Sequence, residues 1–195
     1  MTARRVDSQE KMAQVIRAAR QLFVEHGYYN VSIPAIVKAS GVSTGAIYNY
    51  FSSKENLAQA IHNYTLNEFQ DRFDEGLQGQ RTSRDKLKTF VDLVIEITES
   101  DPVMMEYMMF MKHGEFIRDS LPICYTEPFQ RVREIIAQGM ANKEIKDQEV
   151  FVAAVSFTGI IHRAVELRLL GVIKRSLKDV AEAFFNNAWN SIKAC

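Results

Sequence analysis

The sequence predicts an all-α protein: a three-helix head at the N-terminus followed by an all-helical body. Three observations predict it. Apolar residues recur at helical spacing along nearly the whole chain, with no period-two strand pattern, repeat or low-complexity segment. The segment Val31–Lys54, VSIPAIVKASGVSTGAIYNYFSSK, reads as two short helices around a tight turn and the start of a third. A later stretch, from Asp147 to about Leu170, is apolar around most of its circumference.

The first helix is expected from about Ser8 to Glu25, with Asp7 as its cap, Val15, Ile16, Ala19, Leu22 and Phe23 as its buried stripe, and Gly27 as its end. Ser32 caps the second helix, where Pro34 forfeits an N–H that has no intrahelical partner anyway. Ile33, Ile36 and Val37 face inward. Gly41, in Ser40-Gly41-Val42, supplies the positive φ of the turn. Ser43 caps a helix over Thr44–Phe51, with Ile47 and Phe51 inward, four apart. Ser53 caps a longer helix from Lys54 to about Gly76, and Gly76–Ser83 (GLQGQRTS) reads as a linker.

Further helices are expected at Ser83–Glu99, Val103–Lys112, Glu127–Asn142, Asp147–Leu170 and Ser176–Lys193, with a short or broken helix over 113–124. The domains are then residues 1–53 and 54–195.

Composition is that of an ordinary globular chain, with 47% hydrophobic and 25% charged residues. No apolar run is expected to reach membrane-spanning length and the N-terminus carries no hydrophobic signal region, so a cytoplasmic protein with no membrane partner is expected. Cys124 and Cys195 are too few for a disulfide scaffold and sit in no metal-ligand spacing. Net charge is zero, but residues 1–60 hold seven Lys/Arg against four Asp/Glu, a net of +3, and the remainder balances it at −3.

That split fits a head that meets an anionic partner. The helix Thr44–Phe51 has an apolar back and a small, polar, aromatic front, which a DNA major groove accepts. The candidate DNA contacts are Ser32, Ser43, Thr44, Gly45, Tyr48, Asn49, Tyr50 and Lys54. Tyr48 and Asn49 offer donors to phosphates or base edges; the plainer alternative for each is a solvated surface side chain. Ser43 and Ser32 double as caps. Gly45 lets the helix backbone approach the groove. Tyr50 reads either as a phosphate contact or as packing within the head. Lys54 brings a charge to a helix N-terminus, where phosphate is favoured. Arg4-Arg5 reads equally as a minor-groove arm or as a solvated tail.

Gly41-Val42-Ser43, Ala46-Ile47-Tyr48, Tyr50-Phe51, Ser53-Lys54-Glu55 and Leu57, with the lead-in Ala18-Ala19, Leu22-Phe23 and His26-Gly27-Tyr28, resemble the helix-turn-helix of the TetR/AcrR family of bacterial regulators. The resemblance covers roughly residues 10–60. It implies the same DNA surface, a homodimer joined by the last two helices, and a small-molecule effector in the body whose binding weakens DNA affinity. Pro34 departs from it, standing where many relatives carry a base-reading side chain.

A single recognition helix reads few bases, and such proteins bind paired half-sites as dimers. Phe151, Val155, Gly159 and His162 of one late helix, with Phe184 and Trp189 of the last, are the candidate dimer interface; a monomer core is the alternative. The segment Pro102–Met111 holds five of the eight methionines, a side chain suited to apolar surfaces that adapt. Met104, Met105, Met108 and Met109, with Phe69, Phe73, Phe90, Phe129 and Phe157, form the candidate effector pocket, a plain core being the alternative.

An enzyme is not expected. The chain has no Gly-rich phosphate loop, no Gly-x-Ser-x-Gly elbow and no zinc spacing, and no cofactor is called for. The resulting expectation is a sequence-specific transcriptional regulator, a repressor released from a double-stranded DNA operator by a small, largely apolar ligand.

Overall fold

The computed structural model describes residues 2–194, with side chains described from residue 9 onward. Among these residues the α-helices are α1 (Thr2–His26), α2 (Ile33–Ser40), α3 (Thr44–Phe51), α4 (Lys54–Leu77), α5 (Ser83–Ser100), α6 (Pro102–Phe110), α7 (Glu127–Ala141), α8 (Val150–Leu169) and α9 (Ala181–Ile192). Short 3-10 turns occupy Tyr28–Asn30, His113–Glu115, Ile123–Tyr125 and Leu177–Val180. The described residues hold no strand, only an isolated antiparallel bridge between Ile145 and Lys193.

The chain forms two compact units, Met1–Asn67 with Glu106–Pro122, and Glu68–Met105 with Ile123–Cys195. The first unit is thus larger than the 1–53 segment expected from sequence. Its apolar core explains why. Val15, Ile16, Ala19 and Phe23 of α1 meet Ile33 and Ile36 of α2 and Ile47 and Phe51 of α3. Leu57, Ala58 and Ile61 of α4, together with Tyr107 and Ile117, complete the same core.

The caps act locally as their residue types demand. Ser32 Oγ accepts from the Ala35 N–H at 3.3 Å, Ser43 Oγ from Ala46 at 3.3 Å, and Ser53 Oγ from Asn56 at 3.1 Å. Gly27 and Gly41 end their helices at φ of 78° and 70°, where a Cβ would be strained.

The second unit is organised around aromatic rings. Phe90 lies edge-on to Phe69, Phe73 and Phe129, at centroid distances of 6.1, 5.5 and 5.8 Å. Phe157 of α8 meets Phe185 of α9 edge-on at 6.4 Å. At Gly139 a Cβ would fall 2.7 Å from Ile145 Cδ1, so α7 and the chain after it close on a bare backbone. Glu144 accepts from the Ser83 N–H at 2.8 Å and seals the start of α5. Glu99 takes a forked pair of hydrogen bonds from Arg168, at 2.8 and 2.9 Å, and a third from the Leu177 N–H at 2.8 Å. The Arg168 guanidinium, foremost, holds the Glu99 carboxyl down at about 2.

Four expectations about elements are corrected. Helix α1 begins at Thr2, so Asp7 lies inside it and is not its cap. The stretch 76–83 is no linker: α4 continues to Leu77, and Thr82, whose Oγ accepts from Asp85 N–H at 3.1 Å, caps α5 within the second unit. Residues 113–124 hold two separate 3-10 turns, with Asp119 between them at φ 60°. Ser176 caps a 3-10 turn that precedes α9, where one continuous helix was expected.

Candidate nucleic-acid interface and partner surfaces

Within the first unit, α2 and α3 turn Ile33, Ile36, Ile47 and Phe51 into the core. What remains on the outside of α3 is Ser43, Thr44, Gly45, Tyr48 and Asn49, all exposed. Tyr48 is 48% exposed, a large ring held at the surface with its hydroxyl in water. A Cβ at Gly45 would meet no atom within 4 Å, so nothing inside the protein requires glycine there. Ser32 is exposed at the start of α2. Lys38, exposed near the end of α2, adds a cation that the sequence reading did not select.

Two candidates are placed differently from that group. Tyr50 is half-buried, its ring edge-on to Phe51 at 6.1 Å. Lys54 turns back into its own unit: Nζ donates to the Tyr28 carbonyl at 2.6 Å and lies 4.1 Å over the Tyr28 ring. Burial there lowers its pKa, with Glu55 opposing the shift. Burial, with Glu55 adding to it, pushes the Tyr28 hydroxyl up to about 12. Lys54 therefore braces the entry to α2 and α4, and a phosphate would have to compete for its ammonium. Arg4 and Arg5 have side chains outside those described, as is Cys195.

The second unit presents a different kind of surface. Phe151, Val152 and Val155 of α8 are 39, 50 and 52% exposed, a cost in water unless covered. Gly159 is exposed with 4 Å of free space around a Cβ, and His162, Phe184 and Trp189 are half-buried. The expectation that no apolar run reaches membrane length is overturned: α8 has 20 residues with a mean hydropathy of 1.5, long and apolar enough to cross a membrane by length and composition. One third of that window, 33%, is buried against its own unit, and Arg163 pairs with Glu166 at 2.6 Å near its end.

The candidate effector pocket is closed. Phe69, Phe73, Phe90, Met104, Met105 and Phe157, in the second unit, are each at most 2% exposed. Met108, also 2% exposed, belongs to the first unit, as does the half-buried Met109. Phe129 of the set borders a cleft of about 30 Å³, shared with Cys124, Arg133, Phe151, Val155 and Thr158. That volume holds a water and no effector. A larger cleft of about 470 Å³ is polar, walled by Gln70, Asp74, Glu127, Gln130, Arg131 and Glu134. Periodicity cannot separate an apolar pocket from a packed core, because both demand the same side chains.

Residues 15–61, the stretch that builds this capped two-helix face, match the family model described as bacterial regulatory proteins, TetR family. Over these residues the chain is similar to the TetR family. Among curated TetR-like relatives, the HTH-type transcriptional regulator UidR of Escherichia coli (strain K12) is 29% identical over 139 residues. The match takes in 71% of this chain, which spans 57% of that relative's length. The fatty acid metabolism regulator protein of Bacillus subtilis is 29% identical over 91 residues, 47% of each chain. A TetR family transcription regulator from Marinobacter aquaeolei VT8 shares the fold with a TM-score of 0.83 at 21% identity, covering 98% of this chain and 99% of that one. The transcriptional regulator FadR of Bacillus subtilis, solved in complex with stearoyl-CoA, shares it with a TM-score of 0.78 at 21% identity, over 92% of this chain and 98% of that chain.

Proposed function

We propose that this chain is a sequence-specific DNA-binding transcriptional regulator, a cytoplasmic homodimer and not an enzyme, acting as a repressor that a small, largely apolar ligand releases from its operator. The observation that carries the reading is the outer face of α3, capped by Ser43 and bare at Gly45, with Tyr48 and Asn49 exposed, inside the stretch that matches the family model. Thr44, Tyr48 and Asn49 are the base- and phosphate-reading side chains; the N-terminus of α2 at Ser32 supports a phosphate. Tyr50 and Lys54 serve first as braces. The exposed apolar strip of α8, with Phe184 and Trp189 of α9, joins two copies so that two heads address paired half-sites.

Release requires a ligand that favours a conformation with poorer DNA affinity. The closed aromatic core means the ligand makes its space by displacing side chains, which flexible methionines at 104 and 105 permit. A long acyl chain is a ligand of the chemistry such an apolar interior would admit once those side chains move, and Bacillus subtilis FadR, which shares this fold, was solved in complex with stearoyl-CoA.

A gel shift of the purified chain against its own upstream intergenic DNA, with competitor DNA and at two salt concentrations, tests the reading. A discrete complex that survives competitor and is lost on adding an acyl-chain ligand is expected. Binding that is uniformly salt-sensitive and shows no preferred site in a random-duplex selection contradicts it. A release screen answered only by highly polar metabolites overturns the ligand class.

A further inference from the structure

The first unit contains a buried polar cluster in which no part of the DNA-reading surface takes part. His62 of α4 and His113, after α6, lie 4.5 Å apart between ring centroids and are 7% and 8% exposed. His113 also lies edge-on to the Tyr107 ring at 4.8 Å, and Tyr107 is fully buried. The Tyr107 hydroxyl and His113 Nε2 have no hydrogen-bond partner. Buried polar atoms without partners are rare, so this corner is held by packing rather than by polar contacts.

That packing fastens a segment onto the head. Ile117 is 4% exposed within the first unit's core. Phe116 stacks on Tyr28 at 4.5 Å and 11°. The Tyr29 hydroxyl donates to the Glu115 carbonyl. Tyr28 and Tyr29 begin the turn that leads into α2.

We propose that the segment Tyr107–Ile117 is a proton-released strap on the head: His62 and His113 hold it down while neutral, and adding a proton to the pair lets it go. The charged and titratable groups around the pair explain the direction. From α1 comes Arg20, a buried cation donating to Thr65 Oγ1 at 3.5 Å and close enough to act on the Tyr107 hydroxyl. From α4 comes His62 itself, and from α6 Tyr107. On the strap, Lys112 and Glu115 pair with each other at 3.6 Å and are exposed, as is Glu106. A proton on either ring therefore meets a second imidazole in a site closed to water, beside a tyrosine that the Arg20 cation already acts on.

Burial lowers both imidazoles, and His62 adds to the shift at His113, which falls to about 4. A histidine held below its ordinary 6.5 favours the closed strap fully above pH 6.5 and progressively less as pH falls toward 4. Going from pH 7.5 to 5, the open state gains roughly 30-fold from His113 alone. The inference concerns the strap and stands whether or not the head binds DNA.

The test uses the full chain, with histidine ring resonances followed by NMR and amide exchange of residues 113–117 corrected for the intrinsic pH dependence of exchange. The expected result is a roughly 30-fold loss of strap protection between pH 7.5 and 5, against a several-fold smaller loss in His113→Phe, which keeps a ring at that position and leaves His62 alone to take a proton. Equal losses in the wild type and H113F overturn the proposal. Should H113F not fold, the wild type decides alone: loss of protection must follow protonation of the His62–His113 pair. A strap that opens while both rings stay neutral, or stays closed while His113 titrates near 6.5, contradicts it.

Discussion

The outer faces of α3 and α8 are opposites. Helix α3 turns Thr44, Gly45, Tyr48 and Asn49 to solvent, whereas α8 turns out Phe151, Val152 and Val155. Both helices bury an apolar back, so burial does not distinguish them. A polar front costs nothing in water and finds its complement in a polar, charged partner. An apolar front of three large residues does cost, and finds its complement in another apolar face. The interiors are reversed as well. Polar Arg20, His62, Thr65 and His113 lie inside the first unit, while Phe69, Phe73, Phe90 and Phe157 fill the second. Each unit thus commits its unusual chemistry to a different place, and substitutions at these places separate the roles.

The largest effect is expected inside the second unit. Phe73→Ala removes a fully buried ring from the Phe90 cluster and should cost about 3–5 kcal/mol by chemical denaturation. A cost near zero would mean that the ring borders an open pocket. On the outer face of α8, Val155→Arg should weaken self-association at least about 100-fold by sedimentation, with the helical signal of the monomer retained. An unchanged dimer would move the interface elsewhere, and loss into a detergent-extractable fraction before the substitution would instead favour the membrane role that α8's composition permits.

Next in size is the Glu99–Arg168 fork. Glu99→Gln should lower stability by about 2–3 kcal/mol at pH 7. Its carboxyl is held at about 2, below its ordinary 4.5. The stability it contributes is therefore full above pH 4.5 and is lost as pH falls toward 2. The gap between wild type and E99Q should stay constant from pH 8 to 5 and shrink below that.

Sequence revealed the elements whose signal is local. The Ser32, Ser43 and Ser53 caps, the Gly27 and Gly41 ends and the inward pairs of α2 and α3 all depend on neighbours within a turn, and they fall where the residue types put them. Boundaries set by distant contacts were not legible. The first unit takes in Tyr107 and Ile117 because α1 and α4 leave room for them, and no spacing within 106–122 announces that. Lys54 illustrates the same limit: its type suits phosphate, but a carbonyl and ring 26 residues earlier receive it. Most of the aromatic and methionine residues of the candidate pocket are buried, with Met109 and Phe129 half-buried, and inwardness alone does not make a cavity. His62 and His113 stand 51 positions apart and meet only through the fold.

The measurement closest to the central claim compares the wild type with the double variant Tyr48→Ala, Asn49→Ala on a selected operator duplex and on an unrelated duplex at two salt concentrations. Both side chains are exposed, so the thermal midpoint should not move. Operator affinity should fall roughly 30- to 100-fold, while affinity for the unrelated duplex and its salt dependence stay the same. Equal operator affinity in the two proteins would show that the outer face of α3 does not read DNA.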